Sequence, residues 1–243
     1  MSLKPMKWKK FIVGYVLALA IFLFAQRRPT PVGSPIYSSV VDLTHSVYVP
    51  PHSAAGKAPA LLGTYIDAPS HFAPQLWTVD QIPSQRLIAP LVVLDVQKKV
   101  ARDPDYQVSM DDIVAWESAH GPLPMGAVVM ARTGWDYHWN SAKQYRNLDA
   151  RGVMHFPGYS LQAAQFLVQG RKTLGLGIDT LSVDSGASKD FAVRNYTLAH
   201  SLYHLENVAN LSAVAESGAT VVVAPAKVEG SNGGPVRIIA LVK

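Results

Sequence analysis

The stretch with the clearest chemical potential is GTYIDAPSH at 63–71. It places a carboxylate, Asp67, four residues before an imidazole, His71. Pro69 lies between them and fixes the local backbone, which keeps the two side chains near one another. A carboxylate beside an imidazole is suited to proton transfer or to metal binding. The sequence therefore predicts a chemically active site at 63–71.

Other polar residues occur in apolar or glycine-rich surroundings, where burial is costly unless the polar group has a partner. Each is a candidate for the same site, although a single buried polar residue more often serves the fold. These candidates are Asp179, Asp184, Glu206, His155, His200 and His204.

Two competing kinds of site have weaker support. A nucleophilic serine would lie in DSGAS at 184–188, but this segment lacks the G-x-S-x-G turn, and turn geometry explains its serines and glycine. The segment GLGID at 175–179 lacks the third glycine and the following helix of a dinucleotide-binding fingerprint. We interpret it as the end of a strand.

A longer set of motifs resembles the cyclase family, which includes bacterial kynurenine formamidases (arylformamidases) and other metal-dependent hydrolases of amides, lactams and lactones. The family motif HxGTHxDxPxH is similar to residues 61–71, and the resemblance extends from about residue 38 to the C-terminus. The other matching segments are WTVDQIP at 77–83, TGW at 133–135, HFPG at 155–158, GIDTLSVD at 177–184, LENVANL at 205–211 and GGPVR at 233–237.

The resemblance implies an α/β protein with a swivelling β/β/α-type fold, a divalent metal such as zinc or manganese, and association into a homo-oligomer. In the family, metal-bound water attacks an amide or ester carbonyl while a histidine moves the proton. By motif, Asp67 is expected to be a bridging metal ligand and Glu206 a ligand of a second metal. His71 is expected to be the catalytic base or acid.

Three positions depart from the family pattern, which expects histidine at Leu61, Tyr65 and Arg194. Leucine has no lone pair, a neutral phenol is a poor zinc ligand, and arginine carries a permanent charge that repels a cation. We therefore expect metal chemistry to be impaired. We also predict that the guanidinium of Arg194 lies between Asp67 and Glu206 and supplies the positive charge that a metal would supply.

Two further predictions concern the surroundings of this site. His200 and His204 have the i, i+4 spacing that places two imidazoles on one face of a helix, so they are an alternative source of metal ligands. The aromatic residues Trp77, Trp135 and Tyr137 are candidate walls of a substrate pocket, with packing in the core as the alternative interpretation.

Short β-branched runs separated by turn residues predict the strands that must carry these residues. Their mostly apolar composition favours strands buried on both faces, and hence an α/β fold. Serine caps and apolar spacing predict helices at Met110–His120 and Ser160–Gln169. The predicted strands are Ser39–Leu43, Leu91–Val96, Ala127–Ala131, Thr220–Val223 and Val236–Val242, with a hairpin turn at 230–235.

The first 28 residues resemble a signal peptide or a membrane anchor, because a lysine-rich segment precedes an uncharged run, 11–26, that ends at two arginines. We favour an uncleaved anchor, and therefore an extracytoplasmic, membrane-anchored protein. The leader carries six positive charges and no acid, so without it the net charge of +5 becomes −1. This distribution argues against a nucleic-acid partner. The chain has no cysteine, which excludes disulfides and a thiol nucleophile.

These observations predict a leader at 1–28, a linker at 29–36 and one cyclase-type domain at 37–243. Two functions remain open from the sequence. The first is an arylformamidase-like hydrolase of linear or cyclic amides or esters with an altered site. The second is a catalytically silent relative that binds a small aromatic ligand or a partner.

Overall fold

The chain forms a barrel of short strands with helices packed outside it. The computed structural model describes residues 36–47 and 63–243. The strands are β1 Ser39–Asp42, β2 Tyr65–Asp67, β3 Ile88–Asp95, β4 Gln107–Val108, β5 Val128–Arg132, β6 Gly158–Tyr159, β7 Gly175–Ile178, β8 Tyr203–Glu206, β9 Thr220–Pro225 and β10 Gly233–Val242. The helices are α1 Gln97–Val100, α2 Met110–His120, α3 Ala142–Arg146, α4 Leu161–Arg171 and α5 Ala192–Ala199.

Seven strands close into a mixed barrel in the order β10-β2-β8-β7-β5-β3-β9, and β9 returns to β10. Strands β3, β5, β7 and β8 are parallel to their neighbours within that group, whereas the pairs that involve β2, β9 and β10 are antiparallel. Strand β1 adds to β10 along a further antiparallel ladder. Because the barrel is closed, most of its strands have no free edge.

Two apolar clusters hold this arrangement together, one on each side of the strands. Ile66, Val93 and Leu205 belong to the cluster inside the barrel. Their neighbours along the parallel strands, such as Val92 and Leu94, face the helices and pack in the second cluster. The parallel strands β5, β7 and β8 and most of β3 are therefore buried on both faces, which confirms the interpretation of the apolar runs in β3 and β5. For the other predicted strands the interpretation is wrong, because β1 is largely exposed and β9 and β10 bury only alternate residues.

The predicted elements agree with the structure over most of the domain. All five predicted strands and both predicted helices are present, with ends shifted by a few residues. The Ser109 and Ser160 side chains accept hydrogen bonds from the backbone N–H groups of Asp112 and Ala163, which explains where α2 and α4 begin. The prediction of a helix that carries both His200 and His204 is wrong, because α5 ends at Ala199 and His204 lies in β8.

The predicted leader at 1–28, most of the linker at 29–36 and Leu61 lie outside the described residues. Within the part of the chain that the structure describes, no helix is both long and apolar enough to cross a bilayer. The leader, the membrane anchoring and the extracytoplasmic location stay predictions.

Candidate functional site

The site lies on the outer face of the ribbon formed by β2 and β8. In the antiparallel register Tyr65 is opposite Glu206 and Asp67 is opposite His204. Side chains alternate between the two faces of a strand, so these four share one face. The intervening Ile66 and Leu205 residues point into the barrel core. The alternation of side chains along the two strands therefore places the four polar residues together on the outer face.

Helix α5 covers this face and brings Arg194 to it. The Arg194 Nη2 atom forms an ion pair with Glu206 Oε1 and lies 3.7 Å from Asp67 Oδ2. All three side chains are largely buried, with exposed fractions of 15% for Arg194, 4% for Asp67 and 7% for Glu206. The guanidinium thus lies beside both carboxylates, which agrees with the geometry predicted from the sequence.

The start of α5 is fixed by Asp184. Its two carboxylate oxygens accept hydrogen bonds from the backbone N–H groups of Val193, at 2.9 Å, and Arg194, at 3.1 Å. The preceding residue, Phe191, has a left-handed backbone with φ of 49°. A carboxylate at the positive end of the helix satisfies otherwise unpaired N–H groups. Asp184 therefore positions Arg194.

His204 is fully buried beneath α5. Its Nε2 atom lies 2.7 Å from the hydroxyl oxygen of Thr197, and that hydroxyl donates its only proton to the carbonyl oxygen of Val193. The hydroxyl must therefore accept from Nε2–H, which assigns the tautomer and leaves Nδ1 with a free lone pair. No hydrogen-bond partner of Nδ1 exists among the described residues.

His71 lies at the mouth of the site, in a short 3-10 helix, Pro69–His71, that packs against α5. Its ring centroid is 5.3 Å from that of Phe72, and the Phe72 ring meets the edge of Phe191 at 6.2 Å. Both His71 and Phe191 are exposed. We call these three residues the aromatic rim.

Tyr65 lies on the same face as the carboxylates but remains half-buried. Burial raises the pKa of its phenol, and the charges of Asp67 and Glu206 raise this pKa further. The hydroxyl therefore stays protonated at neutral pH, and a protonated phenol is a weak metal ligand.

The two carboxylates hold a proton more tightly than isolated ones do. Burial raises the pKa of Glu206 to about 8, the neighbouring Asp67 adds to this effect, and Arg194 opposes it. Burial also raises the pKa of Asp67, against the opposing effects of Arg194 and His71. Two acids this close titrate as a pair, so the pair retains a proton near neutral pH.

A dependence of stability on pH follows from Glu206. Between about 4.5, its ordinary pKa, and about 8 the folded chain binds more protons than the unfolded chain. The free energy of unfolding should therefore fall as pH rises through this window. Glu206→Gln is expected to reduce that slope, measured by urea unfolding at several pH values. Glu229→Gln, at an exposed position, is the control, and an equal slope in wild type and Glu206→Gln would contradict the assignment.

A metal ion could draw on Asp67, His204 and Glu206, which each offer a ligand atom within 4.8 Å of the other two. Arg194, however, holds the Glu206 carboxylate and lies next to that of Asp67. A permanent cation there repels a dication and occupies the oxygens that would bind it. With Arg194 in this position the residues do not fit a resident metal.

The remaining candidate residues lie away from this face. The Trp135 indole is buried in the outer cluster and donates to the Tyr145 carbonyl oxygen at 2.8 Å. Trp77 is half-buried with the Arg86 guanidinium 5.2 Å from its ring centre, and Tyr137 is 77% exposed. None of the three lines the cavity beside Asp112 and Trp116 or the cavity beside His45 and Arg237.

Asp179 and His155 serve the fold. The buried Asp179 carboxylate accepts hydrogen bonds from the backbone and hydroxyl of Thr133 and from the backbone of Gly134, which fixes the end of β5. Burial raises its pKa to about 7. His155 lies 2.6 Å from the Asp105 carboxylate at the surface.

Sequence reasoning missed the roles of Thr197, Phe72 and Phe191, and it placed His204 on the wrong element. A signal for His204 was present, because His204 and Glu206 alternate with Tyr203 and Leu205 in the period-2 pattern of a half-polar strand.

Comparisons with known proteins agree with this architecture. A family model described as a putative cyclase matches residues 41–185. The isatin hydrolase of Roseibium aggregatum is 34% identical over 188 residues, which are 74% of this chain and 71% of the relative.

Solved structures extend the match. Isatin hydrolase A from Labrenzia aggregata, bound to benzyl benzoate, has a TM-score of 0.74 and 30% identity over 84% of this chain and 93% of that one. An isatin hydrolase bound to the product analogue thioisatinate has a TM-score of 0.72 and 28% identity over 94% of this chain and 98% of that one. By sequence and by fold, this chain belongs to the cyclase family.

Proposed function

We propose that this protein binds a small aromatic carbonyl or carboxylate compound at the Asp67–Arg194–Glu206 site, without a resident metal and without the metal-dependent hydrolysis of its family. The observation that carries this proposal is the Arg194 guanidinium beside both carboxylates. This position of Arg194 explains why both acids are present although side chains that bind metal in the family are absent, because the guanidinium balances the charge of the two acids.

The donors at the site suit an oxygen-bearing ligand. A guanidinium has five N–H donors, and Arg194 Nε has no hydrogen-bond partner among the described residues. A carbonyl or carboxylate oxygen can accept from such a group and form a charge-assisted hydrogen bond. His71 at the mouth offers a further polar contact to the same ligand.

The aromatic rim favours a flat apolar body on that ligand. Phe191 is 43% exposed although it is large and apolar, and the edge-to-face contact with Phe72 holds its ring at the mouth. Aromatic rings bind other rings through offset or edge contacts. The ligands of the related structures, benzyl benzoate and thioisatinate, have this combination of a ring and a carbonyl or carboxylate group.

The experiment measures metal and ligand on the same full-length protein. After incubation with zinc or manganese and gel filtration, elemental analysis should find no stoichiometric metal. Tryptophan fluorescence titration with isatin and its ring-opened carboxylate should show saturable binding. Assays with isatin and N-formylkynurenine should show no hydrolysis above the uncatalysed rate.

Arg194→Met should weaken ligand binding about tenfold or more, because a hydrogen bond to a charged group contributes about 1.5–3 kcal/mol. Arg237→Met is the matched control, since Arg237 is exposed and pairs with Asp42 on the far ladder of β10. Equal binding by wild type and Arg194→Met, or stoichiometric metal in wild type, would refute the proposal.

The second candidate is the arylformamidase-like hydrolysis predicted from the resemblance. It is favoured by the retention of Asp67, Glu206 and His71 around one opening. For this candidate the same assays should give metal-dependent turnover that Asp67→Ala abolishes. The two candidates thus make opposite predictions for one set of measurements.

A further inference from the structure

His204 has the features of a metal-ligating histidine. It is fully buried, its Nε2–H group is held by the Thr197 hydroxyl, and its Nδ1 lone pair has no partner among the described residues. In metal sites the non-ligating ring nitrogen usually donates to an orienting group, which fixes the tautomer and the direction of the ring. Thr197 fulfils that role here.

The two carboxylates complete a possible ligand set. A ring nitrogen of His204 and one oxygen each of Asp67 and Glu206 lie within 4.8 Å of one another. Asp67 is the cross-strand partner of His204, and Glu206 follows it two positions later on the same face of β8. Arg194 lies next to both carboxylates, and it comes from a different element, α5.

We propose that Asp67, His204 and Glu206 form a latent three-ligand site for a divalent cation of the zinc type, which the Arg194 guanidinium keeps closed. The family motif assigns no ligand to position 204, so this set differs from the one that the resemblance implies. The inference rests on the proposed function, because in both the Arg194 guanidinium occupies the position that a metal ion would occupy.

The chemistry of the set fits zinc. Neutral imidazole nitrogen and carboxylate oxygen are its ordinary ligands, and three protein ligands leave a fourth position open. Removal of the guanidinium leaves two buried acids without their cation, and a bound dication takes the place of the proton that they share and neutralises both carboxylates. A variant without the guanidinium should therefore gain affinity for zinc from the ligands that are already at the site.

The test uses full-length Arg194→Ala protein after treatment with EDTA and dialysis. Isothermal titration with zinc should show one binding site per chain that wild type lacks, and cobalt should give visible absorption bands for the variant alone. Arg194→Lys retains a cation at the site and should remain without metal. Stoichiometric zinc binding by Arg194→Lys as tight as that by Arg194→Ala would refute the role of the charge.

Further substitutions in the Arg194→Ala background identify the ligand. His204→Leu should abolish zinc binding, whereas His200→Ala, at an exposed histidine beyond the end of α5, should retain it. Thr197→Val should weaken zinc binding about 10–100-fold, the usual cost of losing an orienting partner. Unchanged binding after His204→Leu would overturn the assignment.

Loss of Arg194 also threatens folding, because it leaves buried acids unpaired. Refolding of Arg194→Ala and of Arg194→Gln, with zinc or with EDTA, is therefore monitored by circular dichroism. Zinc-dependent recovery or a zinc-dependent rise in Tm supports the proposal, and the absence of any zinc effect in both variants overturns it. Ligand binding by wild type is measured independently of these zinc experiments. Failure of the latent zinc site is therefore distinguishable from failure of the proposed function.

Discussion

Replacing Gly158 by alanine is expected to destabilise the protein by about 3 kcal/mol, the upper end of the usual cost of overpacking. Gly158 lies in β6, where a Cβ atom would come 2.5 Å from the carbonyl carbon of Asp184 and closer still to the backbone nitrogen of Ser185. Backbone atoms cannot turn aside as a flexible side chain can. The segment that carries Asp184 must therefore move.

That movement should reach the functional site, because Asp184 holds the first N–H groups of α5 and thereby positions Arg194. We expect Gly158→Ala to lower both the urea midpoint and the affinity for the proposed aromatic ligand. Gly234→Ala is the matched control, since a Cβ atom there meets nothing within 4 Å. A Gly158→Ala protein with the stability and ligand affinity of the control would show that the 184–185 segment does not position α5.

The fold could be predicted from the sequence where a strand is buried on both faces. The continuous apolar runs of β3 and β5 and the serine caps of α2 and α4 are local signals, and each appears in the structure close to its predicted place. Closure of the barrel was not predictable in this way. It depends on pairings between segments far apart in the sequence, namely the ladder of β10 with β2 and that of β9 with β3.

The candidate site shows the same division. Asp67, Arg194 and Glu206 could be brought together by comparing motif positions, because a lost ligand and a new cation are visible as residue types. The role of His204 could not be predicted, since it depends on the register between β2 and β8 and on the donation of the Thr197 hydroxyl to the Val193 carbonyl oxygen. The i, i+4 spacing of His200 and His204 is compatible with a helix, but α5 ends at Ala199 and a turn leads from it into β8, which carries His204.

Restoration of the family ligands should have the largest effect on function. Leu61→His, Tyr65→His and Arg194→His together are expected to give stoichiometric zinc binding, whereas we expect none for wild type. Tyr65 is opposite Glu206 and shares a face with Asp67, so an imidazole there would face the carboxylates. With metal bound, hydrolysis of isatin should become detectable, because zinc lowers the pKa of its bound water to about 7.

The double variant Leu61→His, Tyr65→His is the decisive control, because it adds two imidazoles but keeps the guanidinium beside the carboxylates. We expect it to remain without zinc, measured by elemental analysis after gel filtration, since the Arg194 charge still holds Glu206. Zinc uptake by the double variant would contradict the role that we propose for the Arg194 cation in excluding metal. A triple variant that folds as wild type does, yet binds no zinc, would mean that groups around the ligands have also diverged.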